Sequence, residues 1–309
     1  MVQENHRAHG IQWMKMQHLI SVLKFIWRHP ANRQRRFTAV FRGVAWQIYK
    51  RLTGNYFDVG VFNGLKLRCY PDSTSASSVL YCRGWPDYHE MGFMRHYLSE
   101  GDGFIDIGAN VGVYTLLAAS LVGKTGRVDS FEPGAAAFVR LQENVGLNNL
   151  TQVHLHAMAV GETTGNVSFF CEQDTTNRIR TSEDGNTASV EVPIDRLDNI
   201  LAGQCYAMGK MDIEGAELLA LRGAQKMLSD HNPPVWLLEL NGALHAFGFD
   251  EMELADWLAD QGYDLALYDA DTHTLRFEKK PWLEAGNVLA ISRKMKAQVL
   301  KKCKNSVIV

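Results

Sequence analysis

At 309 residues, with 46% hydrophobic and 21% charged positions and a formal net charge of -2, the chain has the composition of a globular protein able to bury one large core or two modest ones. That balance excludes a disordered chain, and it offers no cationic excess of the kind that marks a nucleic-acid binder. Its cysteines (Cys69, Cys82, Cys171, Cys205, Cys303) are scattered and never at CxxC spacing, which argues against a zinc or disulfide framework and suits a reducing cytoplasm.

Residues 1–55 form a basic extension in which Lys15, Lys24, Arg28, Arg33, Arg35, Arg36, Arg42, Lys50 and Arg51 face almost no acids. Ile20, Leu23, Ile26 and Trp27, then Phe37, Val40, Phe41, Val44, Ala45 and Ile48, recur at three-and-four spacing. Two amphipathic helices interrupted at Pro30 are predicted. Their basic faces suit either solvated helices packed on the main domain or peripheral contact with anionic lipid or a charged carrier substrate. The apolar stretch 19–27 is broken by Lys24 and has no small-residue cleavage site, so no secretory signal is expected. Nor does any run approach the roughly 20 apolar residues of a membrane span.

Residues 56–100 read as a small strand and loop segment. A strand pair is predicted over 56–68, where Gly60 and Gly64 interrupt short alternating stretches, and a turn-rich loop over 71–78. From 101 to 293 apolar strand-like runs alternate with helical patterns, the signature of a mostly parallel α/β sheet covered on both faces. The predicted strands are 104–107, 128–131, 153–156, 207–211, 235–240, 264–268 and 288–291. An insertion over 167–194 reads as a hairpin whose ends, 167–170 and 189–194, enclose a polar stretch with Gly185 and Asn186, a candidate substrate wall. Residues 294–309 read as a basic tail.

The most informative segment is Phe-Ile-Asp-Ile-Gly-Ala-Asn-Val-Gly (104–112), a strand and glycine-bearing turn that open into a helical run. Glycines there let the backbone approach a ligand, and a helix N-terminus supplies unpaired amide donors. About twenty residues on, Glu132 ends the next strand, where an acid can hold ribose hydroxyls. A nicotinamide dinucleotide competes for such a site. Against it, the turn has Gly108 and Gly112 but not the three glycines that admit a pyrophosphate. Asp106 beneath the turn would repel a pyrophosphate and attract the ammonium and sulfonium of S-adenosylmethionine.

The motifs FIDIGANVGVYT (104–115), DSFEP (129–133), LQENVGLNN (141–149), AVG (159–161), KMDIEGAE (210–217) and LLELNG (237–242), in this order and spacing, resemble the FkbM-type methyltransferases. The resemblance covers roughly 81–293. It implies a Rossmann-like class I methyltransferase fold with a seven-stranded, mostly parallel sheet, an antiparallel last strand and helices on both faces. It also implies S-adenosylmethionine as cofactor, with Asp106, Gly108, Asn110 and Gly112 around its methionine part, Glu132 at its ribose, and the loop with Met158 and Ala159 against adenine. The run Ile194-Asp195-Arg196-Leu197-Asp198 departs from the threonine-leucine-aspartate usual there, and Asp195 is given no role. Upstream, Tyr81, Gly84 and Glu90 resemble positions that precede the cofactor loop in some members.

Ligands of open parallel sheets collect at the carboxyl ends of the strands, which points to Asp212 and Glu214 after the fourth strand and Glu239 at the end of the fifth. These are the candidate catalytic acids, with Asp212 the first choice as base for a hydroxyl acceptor and the helix start near Ala216 an alternative use for Glu214. Asp212, Glu239 and Asn241 are oxygen ligands suited to magnesium, but without further spaced ligands no metal is assigned. His89 and His245 are alternative bases, and Trp85, Tyr88 and Tyr114 can face a flat substrate. The expected function is O-methylation of a sugar, glycolipid or polysaccharide-related acceptor, with a polyketide-like acceptor, a cofactor-binding module without turnover and a nicotinamide oxidoreductase as alternatives.

Overall fold

The computed structural model describes residues 20–170, 178–179 and 189–303. Its N-terminal part is helical over residues 20–28 (α1), makes one 3-10 turn at Pro30–Asn32, and resumes as α2 (Arg36–Thr53). Pro30 falls at the start of that turn, where its missing amide leaves no helix bond unmade. Asn32 ties the break to the body of the protein: its buried Nδ2 donates to the carbonyls of Ile26 and Tyr81, both at 2.9 Å.

Strands β1 (Phe57–Gly60) and β2 (Lys66–Cys69) form the expected antiparallel pair. The expected loop over 71–78 is instead largely helix, α3 (Thr74–Tyr81). Ser73 caps it by accepting from the amide of Ala76, and Ala76, Val79 and Leu80 are buried, so serines that resemble a turn supply a cap and the solvated side of a short helix. A second helix, α4 (Tyr88–Tyr97), completes this segment, which is therefore more helical than the strand and loop reading of 56–100.

The sheet strands follow as β3 (Gly103–Ile107), β4 (Arg127–Phe131) and β5 (Val153–His156). Then come β6 (Ala159–Val160), β7 (Gly165–Phe170), β8 (Arg178–Ile179) and β9 (Ser189–Asp195). The remainder are β10 (Met208–Met211), β11 (Val235–Glu239), β12 (Tyr263–Asp269), β13 (Thr274–Phe277) and β14 (Asn287–Ser292). Interleaved with them are α5 (Val113–Val122), α6 (Ala135–Leu147), α7 (Leu197–Ile200), α8 (Glu217–Arg222), α9 (Gln225–Ser229), α10 (Glu251–Asp260) and α11 (Lys296–Lys302).

The main sheet is Rossmann-like, in the order β13-β12-β14-β11-β10-β3-β4-β5. Strands β11, β10, β3, β4 and β5 run parallel, and β14 is antiparallel to both β11 and β12. All seven expected strands are present, and an eighth corrects the count. The turn after Asp269 sends β13 back antiparallel along β12, adding a short edge strand.

Alternation along each strand builds two cores. Phe104, Val128, Met208, Leu237 and Ile291 face one side with residues of α2, α3, α4, α5 and α11. Ile105, Phe131, Met211, Trp236 and Ala290 face the other with residues of α8, α9 and α10. The described part of the basic tail is thus not free: Val299 of α11 and Cys303 just after it are buried in the first core.

The expected hairpin insertion is present in β7 and β9, antiparallel from Gly165↔Ile194 to Phe170↔Ser189. With β6 and β8 it makes a second sheet, in the order β6-β9-β7-β8. The expected turn residues Gly185 and Asn186 lie outside the described residues.

Candidate active site

Parallel strands end on one side of a sheet, and a cavity of about 330 Å³ opens at the carboxyl ends of β3, β4, β10 and β11. Its wall includes Gly108, Ala109 and Asn110 after β3, Glu132 after β4, Met158, Ala159 and Val160, Asp212 and Glu214 after β10, and Glu239, the last residue of β11. The turn after β3 exists in this form because of Gly108. Its φ is +75°, and a Cβ there would stand 1.9 Å from the carbonyl oxygen of Asp212, so only glycine lets the two loops touch.

Val113 and Tyr114, the first residues of α5, also line the cavity, and no side chain caps the helix start at Gly112. The positive end of a helix dipole therefore stands at the cavity. Glu132 is 5% exposed. Its carboxylate accepts from the amides of Asn110 and Gly134, each at 2.8 Å. Burial pushes this carboxyl up to about 7, although both amides oppose the shift.

Two residues expected at the cofactor, Asp106 and Gly112, are not among those that line the cavity. Asp106 is fully buried beneath the turn and is not on the cavity wall. Its Oδ2 accepts from the hydroxyl of Thr115 at 2.6 Å, and its Oδ1 has no hydrogen-bond partner among the described residues but stands 4.0 Å from Lys210 Nζ. Gly112 is also off the wall. Its φ is +93° and a Cβ would come within 2.6 Å of Leu141, so it serves the packing of α5 on α6.

Lys210 does line the cavity, and its cation sets the electrostatics of the site. Lys210 and Asp106 are direct cross-strand neighbours in the parallel β10/β3 register, so their side chains share one face. Lys210 Nζ donates to Asp212 Oδ2 at 3.0 Å and lies 4.8 Å from the centre of the Tyr114 ring. Burial disfavours its charge, but Asp212 and Asp106 more than offset that and hold the amine charged. An ionisable residue in an apolar strand is costly to bury unpaired, and Lys210 within Met208-Gly209-Lys210-Met211 carries that signal.

The three expected acids do converge. Asp212, Glu214 and Glu239 each bring a carboxylate oxygen within 4.8 Å of the others. Burial and the neighbouring Asp212 push Glu239 up to about 9, whereas burial of Asp212 is outweighed by Lys210 and Glu239, which hold its carboxyl low. Asp212 is thus ionised and Glu239 protonated at neutral pH. The buried Glu239 Oε2 finds no donor among the described residues, as fits an acid that keeps its proton. Glu214 has a left-handed backbone, φ +54°, an uncommon geometry for a non-glycine residue and one that clusters at functional sites. Burial first, and then Asp212, push its carboxyl up to about 7. It does not cap α8, whose N-cap is Ala216.

Other candidates fall outside the cavity. Asn241 is exposed, accepts from the amide of Ala243 and is off the cavity wall. His89 accepts from the amide of Ala270, and His245 is exposed near Glu251, which leaves neither as a base here. Trp85 packs on Phe62 and Tyr88 bonds Asp271, and of the three aromatic candidates only Tyr114 reaches the wall. Tyr81, Gly84 and Glu90 are also off it.

Sequence reasoning missed the contribution of α3 and the loop after it. Thr74, Ser75, Ser78 and Asp87 line the cavity, and Tyr114 donates its hydroxyl to Asp87 at 2.8 Å. From the insertion come Phe169, Arg178 and Ile179, which line the same cavity.

Comparison with known proteins follows the same residues. Positions 106–265 match the profile of the Methyltransferase FkbM domain. A stretch of 147 residues is 29% identical to Methyltransferase 1 of Beauveria bassiana (strain ARSEF 2860), covering 40% of this chain and 58% of that protein. The chain therefore spans less than two thirds of that relative's length. Methyltransferase FkbM from Methylobacillus flagellatus KT aligns with a TM-score of 0.43 at 18% identity, over 70% of this chain and 52% of that one. Precorrin-6y C5,15-methyltransferase from Geobacter metallireducens GS-15 aligns with a TM-score of 0.37 at 12% identity, over 66% of this chain and 86% of that one.

Proposed function

We propose, from the premise that this chain belongs to the methyltransferase FkbM domain family, that it is an S-adenosylmethionine-dependent O-methyltransferase acting on a hydroxyl of a sugar, glycolipid or polysaccharide-related acceptor. The observation that carries this reading is a single cavity lined both by a glycine turn with Glu132 and by three convergent carboxylates.

The residues present fit that cofactor. The two Glu132 oxygens each hold one backbone amide and keep lone pairs for ribose hydroxyls. Phe131, Met158 and Val160 give an apolar surface for adenine, and the ionised Asp212 offers an anion to a cationic group. S-adenosylmethionine, when bound, supplies an electrophilic methyl group on a sulfonium.

What the chain itself must do is orient the acceptor oxygen and take its proton. Asp212 is the weaker base, because Lys210 stabilises its charge. Glu239 already holds a proton at neutral pH. Glu214, poised at about 7 and 4.8 Å or less from both, is the acid matched to proton removal. Asp212 then serves as the fixed anion that orients the hydroxyl or the cofactor, and Thr74, Ser75, Ser78 and Arg178 supply hydrogen-bonding groups suited to a polyhydroxylated acceptor.

Methyl-labelled cofactor incubated with the purified protein and a panel of glycans, glycolipids and polyphenols tests this. The expected product is a labelled methyl ether on a hydroxyl. Label found only on nitrogen, or only on protein, removes the O-methyl assignment, and binding without transfer to any acceptor leaves a cofactor-binding module.

A further inference from the structure

Helix α2 is apolar on two opposite sides. Ala39, Gly43 and Trp46 are buried, with Ala39 and Trp46 in the core shared with α3. Phe37, Phe41, Val44, Ile48 and Leu52 are 80%, 75%, 39%, 52% and 81% exposed. Steps of three and four residues put these five on one stripe at about 3.6 residues per turn, on the side away from the buried set. Trp27 of α1, 38% exposed, meets Phe37 edge to face, with ring centroids 5.2 Å apart, and widens the patch. Scattered exposed apolar residues are ordinary, but a contiguous aromatic stripe marks an interaction surface.

Charge selects the occupant. Over residues 20–57 the sequence carries Lys24, Arg28, Arg33, Arg35, Arg36, Arg42, Lys50 and Arg51 and no Asp or Glu, in a chain whose net charge is -2. Arg33 pairs with Asp271 and Arg42 donates to the carbonyl of Leu80, whereas Arg36 lies over the Trp27 ring, within the patch itself. We propose that α1 and α2 form a peripheral docking face for an anionic phospholipid bilayer. Rings enter the boundary between headgroups and acyl chains while the cations meet lipid phosphates. A second copy of this chain would set the same cations against each other across the interface, which disfavours self-association through this face. No described helix is long and apolar enough to cross a membrane, so the contact is with its surface. Through α3, which packs on α2 and lends Thr74, Ser75 and Ser78 to the cavity, the docking face lies one helix from the candidate active site.

The test is sedimentation of the full chain with phosphatidylcholine vesicles, with and without phosphatidylglycerol, at low and high salt. It needs neither cofactor nor acceptor, so it stands apart from the transfer reading. The expected result is binding that requires phosphatidylglycerol, weakens with salt, and falls about tenfold or more in the double variant Phe37→Asp/Phe41→Asp. Both positions are largely exposed, and an unchanged thermal melt checks that the variant folds. Binding that ignores phosphatidylglycerol content, or is equal in variant and parent, overturns the proposal. So does a dimer in gel filtration that the same variant breaks, because it assigns the face to a second copy.

Discussion

Glu214→Gln is expected to lower turnover by about a hundredfold or more while cofactor affinity changes little, the size of effect usual for loss of a positioned general base. The substitution keeps the shape of a side chain that lines the cavity and removes its ability to take a proton. In the parent protein, turnover is expected to rise with pH and level off above about 7, as the carboxyl that burial and Asp212 have pushed up there loses its proton. Asp212→Asn is expected to move that limb to lower pH, because it removes the charge while leaving the burial. Pre-steady-state methyl transfer across the pH range reads both. A Glu214→Gln enzyme with parental turnover and the same limb would return the base to Asp212 or Glu239.

Lys210→Met is expected to destabilise the fold by about 3–5 kcal/mol, the range seen when one partner of a buried ion pair is removed. The loss falls on Asp106, which has no exposure and whose Oδ1 finds no hydrogen-bond donor among the described residues, with the lysine amine 4.0 Å away. Burial raises the Asp106 carboxyl, and Lys210 is the largest opposing influence. Adding Asp106→Asn to Lys210→Met should recover part of the loss, since an amide carries no charge to strand. Urea unfolding of the three variants measures this. A Lys210→Met midpoint equal to that of the parent would show that the amine does not compensate the buried acid.

The elements most legible in the sequence were those whose pattern coincides with their burial. Strands β3, β10, β11 and β14 read as strands because they are buried on both faces, and the bounds of all seven expected strands fall within a residue or two of those expected. α3 was hidden because serine favours both turns and helix caps, and only the packing of Ala76, Val79 and Leu80 separates the two. β13 is an edge strand of four residues, too short for its alternation to stand out.

In the site, acids that follow strand ends were legible from topology, so Glu132, Asp212, Glu214 and Glu239 reach one cavity as expected. Asp106 and Gly112 carry the motif's most conspicuous residue types, yet they lie beneath the turn and behind it. A motif shows that residues act together and not which of them line the cavity. Lys210 and Asp87 enter through register and a distant loop, which spacing along the chain does not encode.

The most direct measurement of the central claim is calorimetric titration of S-adenosylmethionine into the parent protein and into Glu132→Ala, at pH 6 and pH 8. The account predicts one site in the parent, tighter at pH 8 because a carboxyl poised at about 7 must ionise to accept ribose hydroxyls, and a large, pH-insensitive loss of affinity in the variant. Equal affinity in parent and variant, or no heat in the parent at either pH, would contradict it.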